Sequence, residues 1–287
     1  MASSHRTQGI PPKYAQSRMA NHPLRFPGMR WEHGQGEHGG HEPALGLCEG
    51  GHAVSTGGRG ERGQAVGPRR GRAAVRGRRY PPRVAKIKTV VFDLGGVLID
   101  WDPRYLYRTM FGGDDAAMEH FLSEICSPEW NSALDAGRPW VEAIESLTRQ
   151  HPEFRDEIGA FRLRWPEMLG GAIDGTVTIL AELRAKGMPL YALSNWSAET
   201  FPVALVRYDF LNWFEQVVIS GELGITKPDR RIFEHLLGLH GLTAATTLFI
   251  DDAPANVAGA ESVGMRGLLF TDPARLRTEL VRLHLLD

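Results

Sequence analysis

The sequence predicts an α/β protein: a mostly parallel sheet covered by helices on both faces, interrupted after its first strand by a helical insertion and preceded by a tail that does not fold. Three features lead there. Short β-branched and apolar runs recur along the chain, helical patterns alternate with them, and the composition changes abruptly near Ala85. Up to residue 84 the chain is rich in Gly, Arg, His and Pro, and stretches such as Trp31–Gly40 and Gly57–Arg79 carry neither helical nor alternating periodicity, so the segment reads as disordered. Lys86–Phe92 then reads as a buried strand ending at Asp93. Residues 103–171 break the alternation: Trp140, Ile144 and Leu147, and again Phe161, Leu163 and Trp165, suggest helices, and no convincing strand occurs. Strand runs resume at Met188–Leu193, Gln216–Ser220, Thr247–Ile250 and Arg266–Phe270. Between them, Val177, Leu180 and Leu183 lead to Gly187, Ile232, Phe233, Leu236 and Leu237 share a face, and Val257–Val263 is closed by Gly264. The folded core is therefore expected over 85–102 and 172–287, with 103–171 as a helical cap above the carboxyl edge of the sheet, where open α/β folds bind ligands.

The hydrophobic fraction of 42% is ordinary for a globular protein. No stretch reaches the roughly 20 apolar residues that span a bilayer, and no secretory signal is evident, so a cytoplasmic protein without membrane association is expected. Cys48 and Cys126 lie far apart without metal-ligand spacing, which argues against a disulfide framework or a zinc site. The net charge of −1 hides an asymmetry, because residues 1–88 hold about 16 Lys/Arg against about 5 Asp/Glu. Arg69, Arg70, Arg72, Arg76, Arg78 and Arg79 are the only support for contact with nucleic acid, and the histidines between His5 and His52 have no fixed ligand spacing.

Four sites carry candidate chemistry. Phe92-Asp93-Leu94-Gly95-Gly96-Val97 sets a carboxylate at a strand end before two glycines, a turn in which the amides of Leu94 and Gly95 can face an anion while Asp93 attacks. Ser194-Asn195 follows a strand and offers a hydroxyl and an amide to a phosphate oxygen, although such pairs commonly serve as turns or helix caps. Lys227-Pro228 offers a cation before a helix that Pro228 can open. Asp251-Asp252 ends another strand, and adjacent carboxylates there call for a cation or a helix N-terminus to offset their repulsion.

In this order and spacing, Asp93 to Val97, Ser194-Asn195, Lys227-Pro228 and Asp251-Asp252 with Asn256 resemble motifs I to IV of the haloacid dehalogenase superfamily. The insertion is similar in place and length to that family's helical C1 cap. The resemblance implies a Rossmann-like core and a Mg²⁺-dependent hydrolase of a small phosphorylated metabolite, acting as a monomer or homodimer. It implies Asp93 as the nucleophile that forms an aspartyl intermediate, Ser194 and Lys227 as holders of the transferring group, and Asn195 and Asn256 beside the phosphate, with Asn256 orienting Lys227 or a phosphate-bound water. The metal would fall to Asp93, the Gly95 carbonyl and Asp252, with Asp251 helping directly or indirectly.

One departure bears on the reaction. Phosphatases of this superfamily carry a general acid two residues after the nucleophile, where this chain has Gly95; Asp100 and Asp102 are nearby, with capping of the next helix as their ordinary role. Haloacid dehalogenases also lack that acid, but they lack the paired carboxylates found at Asp251-Asp252. A bacterial subgroup similar to α-D-glucose-1-phosphate phosphatase combines an Asp-Leu-Gly-x-Val motif with an acidic fourth motif. A sugar-phosphate phosphatase is therefore expected before a 2-haloacid dehalogenase, and before a binding protein whose catalysis has decayed. Trp101, Trp130, Trp140 and Trp165 are expected to pack rather than to hold substrate.

Overall fold

The computed structural model describes residues 85–287; the tail expected to be disordered, with its arginines and histidines, lies outside them. Five strands form one parallel sheet: β1 (Thr89–Phe92), β4 (Leu190–Ser194), β5 (Gln216–Ile219), β6 (Thr247–Asp251) and β7 (Arg266–Leu269). Their order in space is β5-β4-β1-β6-β7, so the chain leaves β1 in one direction through β4 and in the other through β6. That reversal places a crevice at the carboxyl ends of β1, β4 and β6.

Both faces of the sheet are covered, as the near-continuous apolar runs require. Val91, Leu193, Val218 and Phe249 join one cluster with Ile232, Phe233 and Leu236 of α9 (Arg230–Leu239) and Ala260 of α10 (Pro254–Ser262). The alternate residues Val90, Phe92, Ala192, Leu248 and Ile250 point to the other face and are buried as completely. On the flanks, α6 (Asp174–Ala185) meets α11 (Pro273–Arg282) through a two-pronged Arg277–Glu182 pair at 2.6 and 2.9 Å, and the shorter α7 (Phe201–Arg207) and α8 (Ser220–Leu223) follow β4 and β5. The expected glycine stops are present: Gly187 and Gly264 follow α6 and α10 with φ of +71° and +87°. β1 begins at Thr89, later than the expected Lys86, and Lys86 and Lys88 are not core residues.

Two strands were not foreseen. β2 (Ile99–Trp101) pairs antiparallel with β3 (Leu169–Ala172), with Ile99 opposite Ala172. Leu-Gly-Gly-Ala has no strand composition, and only the partner strand makes it one. Between them run α1 (Arg104–Met110), α2 (Asp115–His120) with a π-helical extension Phe121–Ile125, α3 (Pro128–Asp135), α4 (Trp140–Gln150) and α5 (Arg155–Leu163). The helix expected through Phe161, Leu163 and Trp165 ends at Leu163, which is 83% exposed, and Trp165 opens a separate 3₁₀ turn. Residues two apart cannot share a helical face, so that triplet belonged to two elements. Trp130 and Trp140 pack on Phe161 at ring-centroid distances of 5.1 and 5.9 Å, the packing role expected of them.

Candidate active site

Parallel pairing aligns Phe92 with Ala192 on one side and Ile250 on the other, so the next residues, Asp93 and Asp251, emerge side by side, with Ser194 at the end of β4. The Asp93 amide donates to the Ile250 carbonyl at 2.8 Å, which continues the ladder by one step and fixes the loop after β1 to β6. Asp93 Oδ1 then accepts from the Leu94 amide at 2.7 Å, Ser194 Oγ at 2.7 Å and Lys227 Nζ at 2.9 Å. Oδ2 has no hydrogen-bond partner among the described residues.

Lys227 is buried and also reaches Asp251 Oδ2 at 2.7 Å. Asn195 clasps its backbone, accepting from the Lys227 amide at 2.8 Å and donating to its carbonyl at 3.0 Å, so both polar ends of that side chain are occupied. Asn256 donates to both Asp251 oxygens at 3.0 and 3.1 Å, and the Ala253 amide adds a third donor at 2.8 Å. Asn256 therefore acts on Lys227 through Asp251. The helix after Lys227 opens at Arg230 with Asp229 as its cap rather than at Pro228.

The electrostatics follow from this crowding. Burial lifts the Asp93 carboxyl from 3.8 to about 6, with Lys227 opposing the rise and Asp251 adding to it. For Lys227, burial pulls downward, but Asp93 and Asp251 outweigh it and its pKa lies above the usual value. Asp93, Asp251 and Asp252 each offer an oxygen within 4.8 Å of the others, and a single lysine cannot neutralise three carboxylates. Such a set of hard oxygen donors fits a divalent cation of the Mg²⁺ type.

The loop after β1 is shaped to admit Asp252. Gly96 has φ +71°, and a Cβ there would collide with Asp252 Oδ2 and lie 2.9 Å from its Cγ. At Gly95, by contrast, a Cβ would meet nothing within 4 Å. Gly95, Asp93, Ser194, Asn195, Lys227, Asp252 and Asn256 thus line one cavity of about 260 Å³, while Leu94 turns its side chain into the core.

A family model for haloacid dehalogenase-like hydrolases matches residues 87–264. The chain belongs to this family. A sesquiterpene phosphatase of Aspergillus oryzae is 30% identical over 68% of this chain and 96% of its own length. A phosphatase of Mycobacterium tuberculosis is 28% identical over 68% of this chain and 93% of its own. Among solved structures, the magnesium complex of a family enzyme from Bacteroides thetaiotaomicron aligns with a TM-score of 0.53 at 21% identity, covering 69% of this chain and all of that one.

Several cavity residues escaped the sequence reading. Asn131 and Asp135 come from α3, Trp101 from β2, Trp165 from the 3₁₀ turn, and Trp196 and Thr200 from the segment after β4. Trp101 and Trp165 were expected only to pack. A polar residue at the end of a helix is an ordinary surface feature in sequence, so nothing marked Asp135 before the helices were assembled. Asp100 accepts from Tyr105 Oη at 2.6 Å, and Asp102 accepts from the Arg104 amide at 2.9 Å, the capping role expected of it. Neither lines the cavity.

Proposed function

We propose that this member of the haloacid dehalogenase-like hydrolases is a Mg²⁺-dependent phosphatase of a small phosphorylated metabolite, with a sugar phosphate as the first substrate class to test. The carrying observation is the meeting of Asp93, Asp251 and Asp252 within 4.8 Å beside the buried Lys227. The phosphatases among the relatives support the choice of ester, and the magnesium complex of the Bacteroides enzyme supports the choice of ion. A 2-haloacid dehalogenase gives the acidic pair no task. No helix among the described residues is long and apolar enough to cross a membrane.

In this reading a carboxylate oxygen of Asp93 attacks phosphorus and an aspartyl-phosphate forms. Lys227, held by Asn195 and Asp251, lies against Asp93 where it can pair with the transferring group, and Ser194 fixes the rotamer of the nucleophile. Asp93, Asp252 and the Gly95 carbonyl would hold Mg²⁺, with Asp251 supporting, and the ion would offset the charge of one anion approaching another.

Phosphate release from p-nitrophenyl phosphate and a sugar-phosphate panel, with Mg²⁺ and with EDTA, tests the reading in wild type and Asp93→Asn. Release that needs both Mg²⁺ and Asp93 is expected. Metal-independent chloride release from 2-chloropropionate without phosphate activity would overturn it.

A further inference from the structure

A phosphatase built on this site lacks a proton donor in its nucleophile loop. Position 95 is glycine and faces open space in the cavity, while Asp100 and Asp102 are engaged by Tyr105 and Arg104 away from it. Resting on the phosphatase reading, we infer that Asp135, carried in by the last turn of α3, is the group that protonates the leaving oxygen and then accepts the proton of the attacking water.

Asp135 lines the same cavity as Asp93, Ser194, Lys227 and Asp252. Its carboxylate is oriented by Asn131 Nδ2 at 3.1 Å on its own helix, and the Ser197 backbone in the segment after β4 favours its charged form. Its backbone is pinned as well. The Asp135 carbonyl accepts from the buried Ser220 Oγ at 2.6 Å, and Ser220 Oγ in turn accepts from the Trp196 amide at 3.0 Å. Two residues on, a Cβ at Gly137 would lie 3.1 Å from the Gly221 carbonyl, so the end of α3 rests directly on the core. A carboxyl group brought by the insertion is thus fixed to the core through its backbone.

The groups that face it suit the task. Burial raises its pKa from 3.8 to about 7; the Ser197 backbone opposes this, the Asp93 charge adds to it, and Lys227 opposes it. Arg104 lines the adjoining cavity, which shares Trp101, Asn131, Asp135 and Asn195 with the first. A carboxyl that holds its proton near neutrality can give it up and regain it within one turnover.

The proton balance closes over two steps. An Asp93 oxygen bonds to phosphorus, the bond from phosphorus to the ester oxygen breaks with its electron pair on that oxygen, and the Asp135 proton moves there to release an alcohol. Water then bonds to phosphorus and yields a proton to Asp135. The bond between phosphorus and Asp93 breaks, and inorganic phosphate leaves with both carboxyl groups restored.

The test uses the full-length protein with Mg²⁺ and a series of aryl phosphates from p-nitrophenyl, whose leaving group needs no proton, to phenyl and p-methoxyphenyl. Single-turnover rates are measured for wild type, Asp135→Asn and Asp135→Glu. In Asp135→Asn the phenyl substrates should slow by about 10²-fold or more while p-nitrophenyl phosphate slows by less than about tenfold. The alkaline fall of the phenyl phosphate rate should disappear in the same variant, and Asp135→Glu should lie between it and wild type. An equal loss on every substrate would mark Asp135 as structural, and no loss would remove it from the reaction; either overturns the inference. If Asp135→Asn does not fold, a wild-type leaving-group dependence in Asp135→Glu that stays as steep above the alkaline limb as below it would overturn it too. The phosphatase reading fails separately, by wild type releasing no more phosphate than Asp93→Asn.

Discussion

At Gly96 two constraints meet in one residue: the backbone takes φ +71°, and the space a side chain would fill belongs to the Asp252 carboxylate. Gly96→Ala should therefore cost about 1–3 kcal/mol in urea unfolding through backbone strain. By displacing Asp252 it should also weaken Mg²⁺ binding by about tenfold or more, read by calorimetry. An unchanged Mg²⁺ affinity would mean that Asp252 is not a ligand. The sequence already called for a tight turn here, but the second reason was invisible, because Asp252 is far away along the chain. The same limit applies to the amides. Asn195 was expected beside phosphate and Asn256 on Lys227 or a phosphate-bound water; the contacts found take Asn195 to the Lys227 backbone and Asn256 to Asp251, the partner of Lys227. A single sequence offers each of these side chains many partners, and the fold selects among them.

At the scale of elements, the helices of the insertion are joined to the segment after β4. Ser127 caps α3 through the Trp130 amide, with Pro128 at its first position, and α3 ends at Asp135. α4 begins on the same segment: Trp140 Nε1 donates to Ser197 Oγ at 2.7 Å, its amide donates to Glu199 Oε1 at 3.0 Å, and Arg162 of α5 meets Glu199 at 3.1 Å. Trp140→Phe keeps most of the ring packing and removes the bond to Ser197. Stability in urea should fall by about 1–2 kcal/mol. Because the Ser197 backbone also acts on the charge of the Asp135 carboxyl, turnover on unactivated esters should fall more than turnover on p-nitrophenyl phosphate; equal effects would break the link between this contact and the cavity. Helices with local stop signals, such as those before Gly187 and Gly264, were legible. β2 and β3 were not, since each is short and their pairing spans the whole insertion.

Across the whole molecule, the site depends on strand order. Asp93, Ser194 and Asp251 belong to separate parts of the sequence and meet because β1 lies between β4 and β6, all running the same way. The family match and every site residue fall after residue 86. Residues 84–287 expressed alone should therefore match the full chain in kcat and thermal midpoint, within about 1 kcal/mol of stability. A marked loss of either would show that the first 83 residues contribute to the folded enzyme.

By itself the sequence determined the α/β class and the strand runs, because burial, periodicity and glycine stops act over a few residues at a time. Three of the four motifs sit at or just after a strand end; Lys227-Pro228, expected there too, is separated from the end of β5 by the helix Ser220–Leu223. Tertiary structure alone decided which partners the motif side chains take and which residues share the cavity with Gly95. Asp135 reaches that cavity only through the packing of α3 on Ser220 and Gly221, a contact between residues more than eighty positions apart that no local pattern encodes.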